Sequence, residues 1–412
     1  MILSLFSKTQ PMQPISTELH TQLIHRIYHH AMAQPISGDA SLLGGQMGFA
    51  VFETYYNRYF GIEDDSRIWE RISFSLNAVQ EGEMVHAFAG GIAGVAWGFL
   101  HLFNQGLLQD DELDPQSIVE DLDEGLFESS MMLLEDGNYD YLHGGLGVCL
   151  YFLERTPSPQ IADYLAQIVE RLSAVAVRFS NGDITWIFDN FGSRSPEDPN
   201  IYNLGLSHGT ASIVAILSLL HEKGYARERC AELIHGNLQW MWRVRNKGRS
   251  KVMNSVFPNT VTDTPTDQES RLAWCYGDLG IANTFLLAGE KLQNNEWKSI
   301  AEQTMLHAAT RRGPDTLMND APLCHGTAGA AYFFNQFSKH ADAPVLTEAA
   351  DFWLQKTAKW ALPKENEDVF LSFHRDRYES NLSLLDGEIS IAMALLSILG
   401  GSKAWNRFLL LS

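Results

Sequence analysis

Seven nearly uninterrupted apolar runs, each about three helical turns long, recur along the chain. Each run begins with a Gly-x-x-Gly core, in which serine replaces the second glycine twice, at Ser212 and Ser390. A helix that is apolar on all sides must be buried, so the runs predict an inner layer of seven helices. The first glycines of the seven cores are Gly45, Gly91, Gly144, Gly209, Gly277, Gly326 and Gly387.

Stretches with one polar and one apolar face separate these runs, for example at 115–135 and 159–179. Helices of this kind bury one face and expose the other, which predicts an outer layer. Strand signals are sparse, and the best of them, 183–190, is compatible with a short hairpin arm. We therefore expect an all-α fold, a closed α/α double barrel (toroid) of seven inner and seven outer helices, with an open solenoid as the alternative.

A closed ring would bring together the residues that stand just before each core glycine. If all inner helices begin at one end, these residues face a common mouth, where helix N-termini favour anionic partners. We expect residues 1–412 to form a single barrel domain, with loops near 181–205 and 243–271 capping the mouth. The residues at this position are Gly44, Gly90, His143, His208, Tyr276, His325 and Asp386.

Charge and cysteine content narrow the possible function classes. The chain has 50 acidic and 30 basic residues and a formal net charge of −20, so its surface repels phosphate backbones and we expect no nucleic-acid partner. The N-terminal apolar run lacks the features of a signal peptide, and no apolar stretch is long enough to predict a membrane span. Four cysteines in 412 residues do not indicate a disulfide framework, so we expect a cytoplasmic protein.

Cys275, Cys324 and His325 form the strongest chemical constellation, because they lie beside the core glycines of adjacent repeats. Two thiolates and an imidazole match the ligand preferences of zinc. Three protein ligands would leave the fourth position open, as in catalytic zinc sites. The residues alone leave a second interpretation, in which both cysteines are small buried hydrophobes beside a core histidine.

His208 occupies the corresponding position of the fourth repeat. It could act as a general acid or base, or its imidazole could bond loop carbonyls. Asp140 and Arg271 could line the mouth, or they could be capping and surface charges; His143 and Asp386 have no assigned role. A basic run could dock an acidic peptide or form a solvated loop, and it consists of Arg243, Arg245, Lys247, Arg249 and Lys251.

The motifs SHGTAS, WCYGDLG and LCHGTAG follow one another on this sevenfold background. Together they resemble the lanthionine synthetase C-like (LanC) family over essentially the whole chain. The resemblance implies the double barrel and a zinc ion held by Cys275, Cys324 and His325. Serine at position 212, where the family usually has glycine, is a departure that concerns helix packing. The family's catalytic positions fall on His208, Asp140, Arg271 and Tyr276.

The implied activity is that of a zinc-dependent lanthipeptide cyclase, which adds peptide cysteine thiolates to dehydroalanine or dehydrobutyrine and forms (methyl)lanthionine rings. The implied partners are a dehydrated precursor peptide with its leader, a separate dehydratase and, as a further candidate, an exporter. The cytoplasmic chain could then associate peripherally with a membrane biosynthetic complex. Because no dehydratase-like or kinase-like region precedes the repeats, we expect a stand-alone cyclase.

The residues suit this chemistry. A free thiol has a pKa of about 8.5 and is mostly protonated at neutral pH, whereas a zinc-bound thiol is deprotonated. Addition to the dehydroamino acid produces an enolate that must receive a proton, and His208 fits that requirement. Arg271 could stabilise the enolate oxygen, and Asp140 could orient or tune the histidine.

Three other functions stay open at this point. The ring could be a non-enzymatic, zinc-containing, peptide-binding scaffold. It could be a LanC-like enzyme that adds glutathione to dehydroamino acids. It could also be an α/α-barrel glycosidase, but this would require two carboxylates at the mouth, and Asp386 is the one acidic residue among those that precede the core glycines.

Overall fold

The computed structural model describes residues 17–82, 84–188, 195, 197–248 and 254–412, and these form fifteen α-helices and six short strands. The predicted all-α double barrel is confirmed, because seven buried helices alternate along the chain with seven amphipathic ones. No helix in the described residues is long and apolar enough to cross a membrane. The inner helices are α2 (Gln46–Phe60), α4 (Ile92–Asn104), α7 (Val148–Glu154), α9 (Thr210–Lys223), α11 (Asp278–Lys291), α13 (Thr327–Phe337) and α15 (Glu388–Ile398).

The outer layer follows the predicted amphipathic stretches, with two differences in length. The stretch 115–135 is split into α5 (Pro115–Val119), a 3-10 turn (Glu120–Leu122) and α6, and the stretch 159–179 stops being helical at Ala174. The outer helices are α1 (Thr17–Ala33), α3 (Ser66–Gln80), α6 (Asp123–Glu135), α8 (Pro159–Ala174), α10 (Arg227–Val244), α12 (Asn295–Ala308) and α14 (Pro344–Trp360).

Backbone hydrogen bonds join the loops in front of the inner helices into a ring. The Leu43 N–H donates to the Ala89 carbonyl at 3.1 Å, and the Ala89 N–H donates to the Leu142 carbonyl at 2.8 Å. From the last repeat, the Leu384 N–H donates to the Leu43 carbonyl at 2.8 Å. Helix α15 also packs against α1 and α2, so the last repeat meets the first and the barrel is closed.

The second glycine of a core allows the loop to pass directly over the start of its helix. A Cβ atom at Gly94 would lie 1.9 Å from the Phe88 carbonyl oxygen, far inside van der Waals contact. In the fourth and seventh repeats, a serine replaces this glycine. The Ser212 hydroxyl donates to the Gly209 carbonyl at 2.8 Å, and the Ser390 hydroxyl bonds the Gly387 carbonyl in the same way at 2.7 Å.

Gly277 is the core glycine whose conformation is least tolerant of a side chain. Its φ is 92°, and an added Cβ would lie 2.0 Å from the Arg271 carbonyl oxygen. We expect Gly277→Ala to lower the free energy of unfolding by about 1–3 kcal/mol from backbone strain alone, as measured by denaturant unfolding. The matched control is Gly125→Ala in α6, where an added Cβ meets no atom within 4 Å and should raise stability by about 0.5–1 kcal/mol. Equal stabilities of the two variants would contradict this account.

The described residues also form three two-stranded antiparallel sheets, in segments between the helices. The predicted hairpin arm is confirmed in part: β2 (Ile184–Thr185) pairs with β1 (Val177–Arg178), while residues 189–190 lie outside the described residues. The strand β3 (Ile201–Asn203) pairs with β4 (Thr260–Thr262) and so joins the two loop regions near 181–205 and 243–271. The third sheet is a hairpin of β5 (Ser372–His374) and β6 (Arg377–Glu379).

The predicted basic run is only partly described. Arg243 forms an ion pair with Asp183 at 3.0 Å, and the Arg245 guanidinium stacks 3.9 Å from the centroid of the Trp242 ring. Arg249 and Lys251 lie outside the described residues. The cations that begin the run are therefore engaged by the protein itself.

The C-terminal segment fills the middle of the ring. Its 3-10 helix, Ala404–Leu409, buries Trp405 and Phe408. Phe408 lies 6.0 Å from Trp97 of α4 between ring centroids, and the Trp274 indole N–H donates to the Leu409 carbonyl at 3.0 Å. The core glycines and the residues beside them thus sit above a packed interior.

Candidate metal centre

Adjacent loops hold Cys275 and Cys324 side by side, although 49 residues separate them in the sequence. The N–H groups of Trp274 and Cys275 both point at the Cys324 carbonyl, at 3.0 and 3.4 Å. The Cys324 N–H in turn donates to the Leu385 carbonyl at 3.2 Å. Backbone pairing between the fifth, sixth and seventh repeats therefore fixes where the two thiols lie.

One ligand atom from each of Cys275, Cys324 and His325 lies within 4.8 Å of the others. We call these three residues the Cys₂His cluster. Both cysteines are almost fully buried, and the His325 side chain is 22% exposed, so the cluster opens to one side. Two sulfurs and one imidazole nitrogen are the donors that zinc prefers, with room for a fourth ligand. The donor set fits a zinc ion.

Close contacts within the cluster shift the pKa values of all three residues. A hydrogen bond from the Cys324 thiol holds the pKa of Cys275 well below its usual range, against the effect of burial, and the same coupling raises the pKa of Cys324. Burial alone would lower the pKa of His325, but its contacts with Asp320 and Cys275 raise it to about 10.

His208 and Asp140 form the second feature of the mouth. His208 Nδ1 lies 2.6 Å from Asp140 Oδ2. The other carboxylate oxygen accepts the N–H groups of Leu142 and His143 at 2.7 and 2.9 Å. The bond between the side chains of His208 and Asp140 connects the third and fourth repeats. A carboxylate accepts a hydrogen bond from Nδ1–H, which leaves Nε2 as the basic nitrogen of the neutral ring.

Tyr276 stands between the two features. Its ring centroid is 6.4 Å from that of His208, and its hydroxyl accepts a hydrogen bond from Asn203 Nδ2 at 3.1 Å. Burial raises the pKa of Tyr276, so it is a neutral phenol. Arg271 lies close enough for its charge to contribute, after the hydrogen bond from Cys324, to the lowered pKa of Cys275.

Two further residues beside the core glycines take different positions. The His143 ring lies almost parallel to His208, with centroids 5.8 Å apart. Asp386 turns back on its own loop, where its Oδ1 accepts the Ser383 hydroxyl at 2.6 Å. A carboxylate engaged in this way gives no support to a pair of catalytic acids of the glycosidase type.

Comparison with known proteins places the chain in a family. A sequence model of lanthionine synthetase C-like proteins matches residues 37–410. The chain belongs to this family. It is similar to the nisin biosynthesis protein NisC of Lactococcus lactis subsp. lactis, at 24% identity over 299 residues, which cover 67% of this chain and 69% of NisC. The solved structure of nisin cyclase has the same fold, with a TM-score of 0.71 at 18% identity over 96% of this chain and 97% of that chain.

For this LanC-like protein, the structure brings together the residues that the sequence singled out. The Cys₂His cluster forms as a unit, His208 bonds Asp140, Tyr276 lies beside His208, and Arg271 is within electrostatic range of the thiols. Their roles stay predictions.

Sequence reasoning missed two members of the mouth, Asn203 and Asp320. Both stand six residues before a core glycine. Aligning the position six residues before each core glycine across the seven repeats would have marked them, because most residues at this position are polar.

Proposed function

We propose that this chain is a zinc-dependent lanthipeptide cyclase that closes (methyl)lanthionine rings. One observation carries the proposal: a zinc-type donor set and a carboxylate-oriented histidine are linked through Tyr276, which follows Cys275 and whose ring centroid is 6.4 Å from that of His208. The Cys₂His cluster supplies the first and the Asp140–His208 pair supplies the second. The similarity to NisC, which is named for nisin biosynthesis, supports a modified peptide as the substrate.

The reaction joins a cysteine sulfur to the β-carbon of dehydroalanine or dehydrobutyrine. Zinc bound to the Cys₂His cluster would favour the thiolate form of the substrate cysteine. The new S–C bond uses the sulfur lone pair, the C=C π electrons move onto the carbonyl as an enolate, and the α-carbon then takes up a proton. The proton lost from the thiol balances the proton gained at carbon, so no redox partner is required.

We assign the transfer of the proton to the substrate α-carbon to His208. Its Nδ1 is held by Asp140, which fixes the ring orientation. Nε2 then exchanges a proton with the substrate α-carbon. An imidazole suits this task because its ordinary pKa lies close to neutral pH.

We assign the stabilisation of the developing enolate to Tyr276 and Arg271. The Tyr276 hydroxyl accepts from Asn203, which leaves its own O–H as a donor to substrate. Arg271 is the positive charge we assign to this step, and it lies near enough to Cys275 to help, after the hydrogen bond from Cys324, to lower the pKa of that thiol. Preorganised donors and charges of this kind stabilise an oxyanion where it forms.

The proposal extends to the surroundings of the reaction. The substrate would be a dehydrated precursor peptide with its leader, delivered by a separate dehydratase and passed on to an exporter. We propose that the chain acts as one domain in the cytoplasm, where it could meet a membrane biosynthetic complex. The loops joined by β3 and β4 would border the entry of the peptide, since Asn203 of β3 reaches Tyr276.

Incubation with a dehydrated, cysteine-containing precursor should consume free thiols faster than the spontaneous reaction. The product should keep the mass of the substrate, because ring closure is an addition. The matched control is the same precursor with its Ser and Thr intact, which should lose no thiols. Zinc binding without thiol consumption would favour the scaffold, and consumption that requires added glutathione would favour the glutathione-adding enzyme.

A further inference from the structure

We propose that Asp320 is a positioning residue for the metal centre and that it orients His325 as a ligand. The inference rests on the proposed function in that it takes the Cys₂His cluster as a zinc site. His325 Nε2 lies 3.5 Å from Asp320 Oδ2. A ligand imidazole whose second nitrogen donates to a carboxylate has its tautomer and its ring plane fixed, and is a better donor to the metal.

The position of Asp320 in the repeat makes this contact possible. It stands six residues before its core glycine, as do Asp39, Asn203 and Asn381. Those three side chains each accept the N–H group two residues further on, at 2.8 Å, and so stabilise their own loops. The residue two positions after Asp320 is Pro322, which has no N–H group.

Pro322 therefore excludes, for Asp320, the turn that holds the side chains of Asp39, Asn203 and Asn381. The backbone of Asp320 keeps its ordinary role, since its carbonyl accepts the Thr327 N–H at 3.1 Å, just as the Asp39 carbonyl accepts the Gln46 N–H at 2.8 Å. With proline at position 322, the Asp320 carboxylate lies in ion-pair range of His325 instead of closing a turn in its own loop.

Burial shows that this arrangement has a cost. Asp320 is fully buried, yet Oδ2 accepts a single backbone N–H, from Phe373 at 2.9 Å, and Oδ1 has no hydrogen-bond partner among the described residues. An incompletely satisfied buried carboxylate destabilises a fold unless a neighbouring cation or donor compensates. His325 is the side chain that the structure places in ion-pair range of it.

The β5–β6 hairpin holds Asp320 in place. Phe373 pairs with Tyr378 across the hairpin, and its N–H is directed away from β6 toward the carboxylate. The Tyr378 hydroxyl donates to the Asn319 carbonyl at 2.8 Å. The hairpin therefore contacts the loop at Asn319 and at Asp320. With Nε2 turned to the carboxylate, Nδ1 is the nitrogen left for the metal.

The test measures zinc affinity by competition with a chelator, without any peptide. We expect Asp320→Asn, which keeps the volume of the side chain and removes its charge, to weaken zinc binding by about 10–100-fold. The matched control is Asp315→Asn in the same loop, whose carboxylate bonds Arg311 and not the cluster; it should bind zinc as the wild type does. Asp320→Glu should recover part of the affinity.

A second variant leaves the carboxylate in place. Pro322→Ala restores the N–H group that can recapture Asp320 in a turn, and its zinc affinity should fall between those of the wild type and Asp320→Asn. The visible absorption of the Co²⁺-substituted proteins should change in both variants, because it reports ligand geometry, which a merely structural defect far from the metal would not alter.

The outcomes separate this inference from the proposed function. Wild-type affinity and an unchanged Co²⁺ spectrum in a folded Asp320→Asn variant would overturn the role of Asp320 and leave the cyclase proposal standing. A wild-type protein that binds no zinc would remove the cyclase proposal and this inference together.

Discussion

Cys324→Ala is expected to remove both the bound zinc and the acceleration of ring closure. Cys324 supplies one of only two sulfurs in the Cys₂His cluster, and its carbonyl also receives the N–H groups of Trp274 and Cys275. The backbone contacts survive the substitution, so the loss should be confined to the metal. Without zinc, the substrate thiol keeps its ordinary pKa of about 8.5 and is mostly protonated at neutral pH.

Elemental analysis of the purified variant and thiol consumption with a dehydrated precursor measure the two effects side by side. Cys149→Ala is the matched control, because Cys149 is a fully buried thiol of α7 outside the cluster. It should keep zinc and activity. Full zinc retention in the Cys275→Ala, Cys324→Ala double variant would show that the metal is bound elsewhere.

The repeat explains why so much of the fold could be predicted from the sequence. Apolar helices must be buried, and the backbone can pass closely over a helix start only where a side chain is absent, as at Gly94. Both requirements act within a single repeat, so the residues of each repeat are enough to show them. The interruption at Glu120–Leu122 and the end of α8 at Ala174 were not predicted, because amphipathicity continues through both places and does not report the local backbone.

The candidate site likewise has residues that the sequence predicts and contacts that it does not. Cys275, His208 and His325 could be found because each lies within two residues of a core glycine, and a ring brings all such positions together. Asp320 stands at a position that is polar in most repeats, but its contact with His325 could not be predicted, because a hairpin some fifty residues further along the chain holds its side chain. Asn203 likewise reaches Tyr276 only through the pairing of β3 with β4. Long-range pairing of this kind leaves no local pattern.

His208→Ala should separate proton transfer from metal binding. His208 bonds Asp140 and lies beside Tyr276, and it is not a member of the Cys₂His cluster. We therefore expect the variant to retain a full complement of zinc and to lose about 10²–10⁴-fold in the rate of cyclisation, the usual contribution of a positioned acid or base. Zinc analysis together with thiol consumption distinguishes it from Cys324→Ala, which loses both.

The neighbouring imidazole provides the control for this experiment. His143 lies parallel to His208 at 5.8 Å, but the carboxylate of Asp140 bonds the side chain of His208 and the backbone N–H group of His143. His143→Ala should therefore lose far less activity than His208→Ala. The spontaneous addition of thiols to dehydroamino acids must be subtracted from each rate, since it would conceal a partial loss. If His208→Ala closes rings at the wild-type rate above that background, the Asp140–His208 pair is a structural link between two repeats and the proton must come from another group.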